Sequence, residues 1–456
     1  MSEQNLPKID NKKFYNRLFT IALPIGFQSL MLALVAAADA LMLGKIAQEE
    51  MTAVSLATQI QFVQNMFLAS VTAACGILGA QYYGKKDIVT LKKLFGITLF
   101  FSIIISLIFF ISCEFYPEQL MHIFTHDERL IAIGSMYLKI AGWSYLITGI
   151  SQCYLTVMKL SEHVMATAVI STGAVIINII FNAFLIFGIP PFSRMESKGA
   201  ALATTLARII ELVFCLGLSL QKNYVRPAFK NIFKNNKILV LDFFKQVVPL
   251  LGGSLFWGVG FTSYTAIIGH MDSNAAAANS VASVIRDLIC CACNGVGSAA
   301  GIMIGYELGA GKLEEGKAYG IKLKNISWVI GFASTALVFV LTPFVVNMVL
   351  LTDEARKLLT GMMIIMGIYM IGRAVNTITI NGVLDGGGDT MFDMYSLAVC
   401  MWCIAIPLAF LGAFVFHWHP WAVYACTCLD EVGKIPWVMI RFRKYKWVRN
   451  LTRQNI

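Results

Sequence analysis

The chain has 456 residues, 57% of them hydrophobic and only 14% charged, with 36 Lys and Arg against 26 Asp and Glu. Soluble globular chains carry roughly 25% charge, so this composition argues against a water-soluble enzyme or binding module. The net charge of +10 sits in polar segments between apolar runs, and no nucleic-acid-binding pattern accompanies it.

Twelve apolar segments are predicted, at 18–44, 53–82, 94–116, 130–158, 164–190, 199–221, 243–270, 275–308, 318–351, 356–384, 391–416 and 420–440. Each has about the 20 residues that a helix needs to cross a bilayer, or more. Continuous apolar runs do not suit a transmembrane barrel, whose strands are short and alternating. The expected fold class is an all-α membrane protein with twelve transmembrane helices.

Met1 to Asn16 is polar, and the apolar run that follows is too long for the core of a signal peptide, so no cleavable leader is expected. That run holds Asp39, the only ionisable residue between Arg17 and Lys45. A carboxylate at membrane depth is costly and usually marks an ion or substrate pathway. As its access to water alternates, such a group can load and unload a proton. In the fifth segment Asn178 and Asn182 are four apart and share a helix face. Their amides can donate to a carboxylate or offer carbonyl oxygens to sodium, or they can simply bond neighbouring helices. Thr204 follows in the sixth segment, where bonding to its own backbone is the plainer role.

Arg208 and Glu211, and likewise Glu431 and Lys434, are three apart and can pair on one helix face. Arg286 and Asp287 are adjacent, and their side chains are expected to point different ways. Asp287 is therefore the candidate for a second cavity acid, with Trp257, Tyr264 and Asn376 as further cavity candidates in the second half. Asp385, Asp389 and Asp393 flank three glycines and read as a solvated turn. The eleven cysteines lie almost all in apolar runs and imply packing rather than disulfides or zinc. Most of the 21 methionines are expected to pack against lipid.

Basic residues follow the even-numbered segments: Lys85, Lys86, Lys92 and Lys93; Lys222, Arg226, Lys230, Lys234 and Lys237; Lys312, Lys317, Lys322 and Lys324. Arg441, Arg443, Lys444, Lys446 and Arg449 close the chain. The positive-inside rule places both termini in the cytoplasm, with the basic stripes against anionic lipid.

The chain repeats itself at an offset of 225 residues. Pro24 falls on Pro249, Gly44 on Gly269, Ser55 on Ser280, Gly76 on Gly301 and Gly84 on Gly309. Six segments per half is an even number, so the halves form a parallel repeat about an axis along the membrane normal. The expected organisation is an N-terminal lobe at 1–221, a basic cytoplasmic linker at 222–242 and a C-terminal lobe at 243–456, with a central cavity. Asp39 falls on Tyr264, so the carboxylate belongs to the first half alone.

The first segment reads ALPIGFQSLMLALVAAADALMLGKI, the second ends in GAQYYGKKD, the eighth in GYELGAGK, and the tenth in NGVLDGGGDTMF. These phrases resemble the multidrug and toxic compound extrusion family, most closely its DNA-damage-inducible branch. The resemblance implies a V-shaped pair of six-helix lobes that exports bulky, often cationic, compounds against an inward proton or sodium flow. It implies that Asp39 is the cation or proton site, with Asn178, Asn182 and Thr204 beside it, and that Tyr137 and Gln152 belong to the substrate cavity. Many relatives carry an acid where Asn182 stands, and the acid that other branches carry in the seventh segment is absent around Trp257 and Gly258. A single carboxylate favours proton over sodium coupling.

The expected protein is thus a monomeric inner-membrane antiporter with organic substrates and membrane lipids as partners. It needs no cofactor or metal beyond the transported proton, with sodium the alternative. A flippase of lipid-linked precursors is the other alternative. It is disfavoured because few basic residues lie deep within the segments, Arg208, Arg286, Arg373 and Lys434 among them. No constellation suggests an enzyme.

Overall fold

The computed structural model describes residues 7, 9–228, 236–349 and 351–453; within α1 (Asn11–Gly44) the side chains at 36, 37, 39–41 and 44 lie outside the described residues. Lys230 and Lys234 of the linker lie outside them too.

Everything regular among the described residues is helical, as a bilayer requires of a chain that must satisfy its own backbone. After α1 come α2 (Gln48–Gly84), α3 (Ile88–Phe115), a short α4 (Pro117–His122), α5 (Glu128–Leu160), α6 (Val164–Phe187) and α7 (Glu196–Ser219). The second half holds α8 (Lys237–Met271), α9 (Ser273–Gly309), α10 (Leu313–Met348) and α11 (Asp353–Asn376). A π-helical stretch, Thr377–Leu384, extends α11. The next span is built from α12 (Thr390–Leu397), a π-helical stretch at Ala398–Ala405, α13 (Ile406–Phe410) and a second such stretch at Leu411–Val415. Eleven of these helices among the described residues are long and apolar enough to span a membrane. The twelfth predicted segment is broken into α14 (Pro420–Thr427), α15 (Leu429–Val432) and α16 (Ile435–Arg443).

Each long helix covers its predicted apolar segment almost end to end. Both α2 and α9 are 37 residues long, about 55 Å at 1.5 Å per residue, so each extends past a hydrocarbon core of about 30 Å. Polar residues mark several of the ends. The Asp127 carboxylate accepts from Arg129 N at 2.9 Å, and the Thr352 hydroxyl accepts from Ala355 N at 3.2 Å, satisfying N–H groups with no partner inside the helix. Gly188 ends α6 at φ +71°, a left-handed cap that glycine adopts without strain. Pro24 and Pro249 both lie inside their helices, α1 and α8.

By packing, the chain divides into two compact units whose borders cut α1, α2 and α8. Of the described residues, an N-terminal unit comprises those in Phe27–Gly79 and Asp87–Phe244; a C-terminal unit comprises those in Met1–Gly26, Ala80–Lys86 and Lys245–Arg453. The first unit has a core around Cys113, Met121, Leu138, Ala141, Tyr145 and Ile186. The second is centred on Met362, Met363, Met366 and Met370, all fully buried. The expectation of lipid-facing methionines fails for these four: they repeat at helical spacing on the inner face of α11, where a flexible thioether fills irregular space. The surface exposes Leu23, Ile108, Val213 and Phe344 together with other methionines such as Met165 and Met348, apolar groups suited to contact with lipid.

Candidate substrate and cation site

Within the N-terminal unit, α1, α2, α5, α6 and α7 enclose a cavity of about 630 Å³. Asn178 and Thr204 line it, and Asn182 is bonded behind Asn178 without lining it. Asn182 Nδ2 donates to Asn178 Oδ1 at 3.2 Å, Asn178 Nδ2 donates to Thr204 Oγ1 at 3.2 Å, and Thr204 Oγ1 donates to Ala200 O at 3.0 Å. Both asparagines are buried, and each such bond contributes about 1 kcal/mol net where it forms. The predicted trio is therefore one directional series crossing from α6 to α7. Thr204 bonds its own helix backbone, the plainer of its expected roles, and also receives Asn178. Tyr137 on α5 is buried and lines the same cavity.

Asp39 belongs to α1, but its side chain lies outside the described residues. The backbone places position 39 four residues after Val35 and four before Leu43, both of which line the cavity. Residues four apart share a helix face, so position 39 lies on the face of α1 that bounds this space.

Two amides of the cavity wall were not singled out in the sequence. Gln61 and Asn65, one helical turn apart on α2, line the cavity; two amides at a spacing of four inside an apolar run were the available signal. Arg208 also lines it and pairs with Glu211 at 2.5 Å. Glu211 is fully buried, so the positive charge on the wall comes with its counter-ion. Gln152, expected in the cavity, is not among its lining residues.

The C-terminal unit gathers a second polar cluster. Glu431 on α15 accepts Arg373 at 2.7 Å and Lys434 at 3.6 Å. Asn376 Nδ2 donates both to Glu431 O, at 2.7 Å, and to Glu431 Oε2, at 2.6 Å. The predicted Glu431–Lys434 pair is thus one edge of a network that also binds the last turn of α11. Asn376 faces this network and is buried. Tyr264 and Trp257 sit in a small core with Met401 and Ala405, Trp257 stacked on Phe261 at 5.6 Å.

Two expectations are corrected here. Arg286 does not point away from Asp287: its Nη2 lies 2.9 Å from the Asp287 carboxylate, and that side chain is 61% exposed. A long guanidinium reaches a neighbour on the next residue regardless of helical rotation, and Arg286 also lies 4.6 Å over the Phe261 ring. The aspartates after α11 are not a solvated turn. Asp385 and Asp389 are buried, and Asp389 receives Arg441 through both oxygens at 2.7 Å. Asp385 lies just past the spanning segment, and burial, with Asp393 and Asp389 adding repulsion, holds its carboxyl well above the ordinary aspartate range. Among the described residues no group of three or more His, Cys, Asp or Glu is arranged to hold a metal ion.

The MatE family profile matches residues 24–184 and again 249–411. The chain belongs to the MatE family. The two matches begin at Pro24 and Pro249, the pair that opens the internal repeat, so the duplication read from identities is the family's own. Relatives include an uncharacterized transporter, YisQ, of Bacillus subtilis, 23% identical over 95% of this chain and 95% of that one. A protein of Bacillus licheniformis named as a probable multidrug resistance protein NorM is 22% identical over 88% and 89%. The bent form of the Vibrio cholerae MATE transporter VcmN has the same fold, with a TM-score of 0.85 at 15% identity, covering 95% of this chain and 97% of that one. The chain is thus a multi-pass MATE efflux transporter with that family's all-helical fold.

Proposed function

We propose that this MATE chain is a secondary active antiporter of the bacterial cytoplasmic membrane, driven by inward proton flow through Asp39. It exports organic, often cationic, compounds by alternating access, works as a monomer among membrane lipids, and keeps both termini in the cytoplasm. The observation that carries the reading is the polar wall of the N-terminal cavity. Asn178 and Thr204 are bonded to each other there, Asn182 backs Asn178 from behind the wall, and position 39 lies on the α1 face that bounds the same space. Relatives named for multidrug resistance support the substrate class.

The amide series suits a carboxylate that changes charge. Each amide can turn a donor or an acceptor toward its neighbour, so the wall can follow an acid as it gains or loses a proton. Sodium capture asks for several oxygen ligands and fixed negative charge. Asn182 carries no charge, so the sodium alternative has one carboxylate to work with. The flippase alternative asks for a cationic cavity, and the Arg208 charge here is offset by Glu211.

The test is export from proteoliposomes under an imposed proton or sodium gradient. Asp39→Asn is expected to fold and bind substrate but to lose gradient-driven export. Asn182→Asp restores a second acid, and is expected to shift the pH dependence of export or to admit sodium. Wild-type export by Asp39→Asn under a proton gradient would place coupling elsewhere.

A further inference from the structure

The ends of α2 and α9 cross in a reciprocal contact. A Cβ added to Gly84 would meet the backbone of Tyr306, one on Gly309 would meet the backbone of Gln81, and one on Gly305 would meet the Ala80 methyl. At the offset of 225 residues, Gly84 corresponds to Gly309, Gln81 to Tyr306 and Ala80 to Gly305. The crossing is therefore self-complementary, like the contact across a two-fold axis, and its two strands are the two copies of the repeat. Small residues let the two backbones touch.

What lies over the crossing is not symmetric. The chain after α16 turns back across it and binds at each step. Trp447 is fully buried; its ring fills the space above Gly320, and its carbonyl packs on Gly387. Arg449 donates to Gly387 O at 3.1 Å and also to Gly388 O. Asn450 Nδ2 donates to Gly309 O at 3.4 Å. Leu451 N donates to Gln81 Oε1 at 2.7 Å, while Gln81 Nε2 donates to Gly386 O at 3.0 Å. Lys85 Nζ donates to Arg453 O at 2.6 Å.

Gln81 is the pivot of this arrangement. It is fully buried, and both ends of its amide are engaged, one with the tail and one with the glycine turn after α11. The tail therefore ties together the last turn of α2, the end of α9 and that turn. The body of α2 belongs to the N-terminal unit, whereas Ala80–Lys86 belong to the C-terminal unit. A rearrangement that releases the end of α2 must first break these bonds.

We propose that the C-terminal segment Tyr445–Arg453 is a latch that holds the α2–α9 crossing shut, with Gln81 as its catch, and that the latch releases once in each transport cycle. The proposal rests on the alternating-access reading above and on the basic residues that assign this end of the helices to the cytoplasm. The latch, rather than the symmetric crossing, then sets how often the cytoplasmic side opens.

The test uses the full-length protein with its native cysteines replaced. Lys85→Cys with Arg453→Cys places thiols at one end of the latch, to be joined by a short, reducible cross-linker. Cross-linking is expected to cut export about tenfold or more, with recovery on reduction, because a gating motion is blocked. Export at the same rate in the joined and reduced states would overturn the proposal. A second readout is independent of pumping. With Tyr306→Cys as reporter, Gln81→Leu and truncation after Lys444 should each raise its labelling rate by a water-soluble maleimide severalfold. Unchanged labelling in both would also overturn the latch. If the reduced double-cysteine protein does not export while the labelling rises, the exporter reading has failed and the latch stands.

Discussion

Replacing Glu431 with glutamine removes one charge and keeps the shape. In the folded protein Glu431 is 3% exposed; it holds Arg373 at 2.7 Å and Lys434, itself 3% exposed, at 3.6 Å. The amide retains one oxygen for one of the two cations and brings an N–H₂ toward the other. Losing one partner of a buried ion pair costs about 3–5 kcal/mol, because the remaining charge stays desolvated. Two features reduce that figure. The Arg373 side chain is 23% exposed and keeps some hydration, and Asp430 lies next in sequence to share the load. The expected loss in unfolding free energy is therefore near the lower bound, about 3 kcal/mol. Arg373 and Asn376 both come from α11, so the loss should appear as separation of α11 from α15. The assay is denaturant unfolding in detergent micelles, paired with a triple variant, Arg373→Met, Glu431→Met and Lys434→Met, which removes both cations along with Glu431. The single variant should be clearly less stable than the triple one. Equal stability of Glu431→Gln and wild type would refute the reasoning, since it would mean that the cations do not depend on Glu431.

Other outcomes follow from single contacts. Burial and the neighbours Asp393 and Asp389 raise the proton affinity of the Asp385 carboxyl, so the folded state keeps to higher pH a proton that the unfolded chain releases above about pH 4. Stability from this group is complete below that pH and declines as pH rises toward the folded value. Asp385→Asn should therefore gain on wild type between pH 5 and pH 8 in unfolding midpoint, and a difference that does not change with pH would contradict this. Arg443→Cys, in a background without other thiols, should be labelled only from the cytoplasmic side; labelling from outside intact cells would reject the orientation.

The twelve segments were legible because each apolar run is long enough to span a bilayer and is closed by polar or basic residues. The predicted 164–190 became α6 at Val164–Phe187, and 356–384 became α11 with its π-helical extension. The amide wall was legible for a related reason: Asn178 and Asn182 share a face whatever surrounds the helix. Pairings between helices were not legible, because they depend on how each helix is rotated and how deep it sits. Arg373 and Glu431 are 58 positions apart, and Arg441 and Asp389 are 52 apart. The buried aspartate turn was misread for the same reason. Three glycines beside acids look like a solvent loop, yet those glycines are what allow Trp447 and Leu451 to pack against the turn.

The duplication separates what a repeat must keep from what it is free to change. Where the two copies touch each other, at Ala80 against Gly305 and at Gly84 and Gly309 against the facing backbones, a side chain added to either copy collides with the other. Reciprocity therefore holds both copies to small residues. The interior faces carry no such mutual constraint, and their chemistry has diverged. Gln61, which lines the N-terminal cavity, corresponds to Arg286, which is spent on Asp287 and Phe261. Asn65, which lines the same cavity, corresponds to Cys290, a buried core residue. Asp39 corresponds to Tyr264, packed against Met401 and Ala405. A symmetric scaffold with unlike interiors lets one unit be altered without the other. A charge change confined to the Asn178–Asn182 wall should then act on coupling alone, and one at Glu431 on the stability of its own unit.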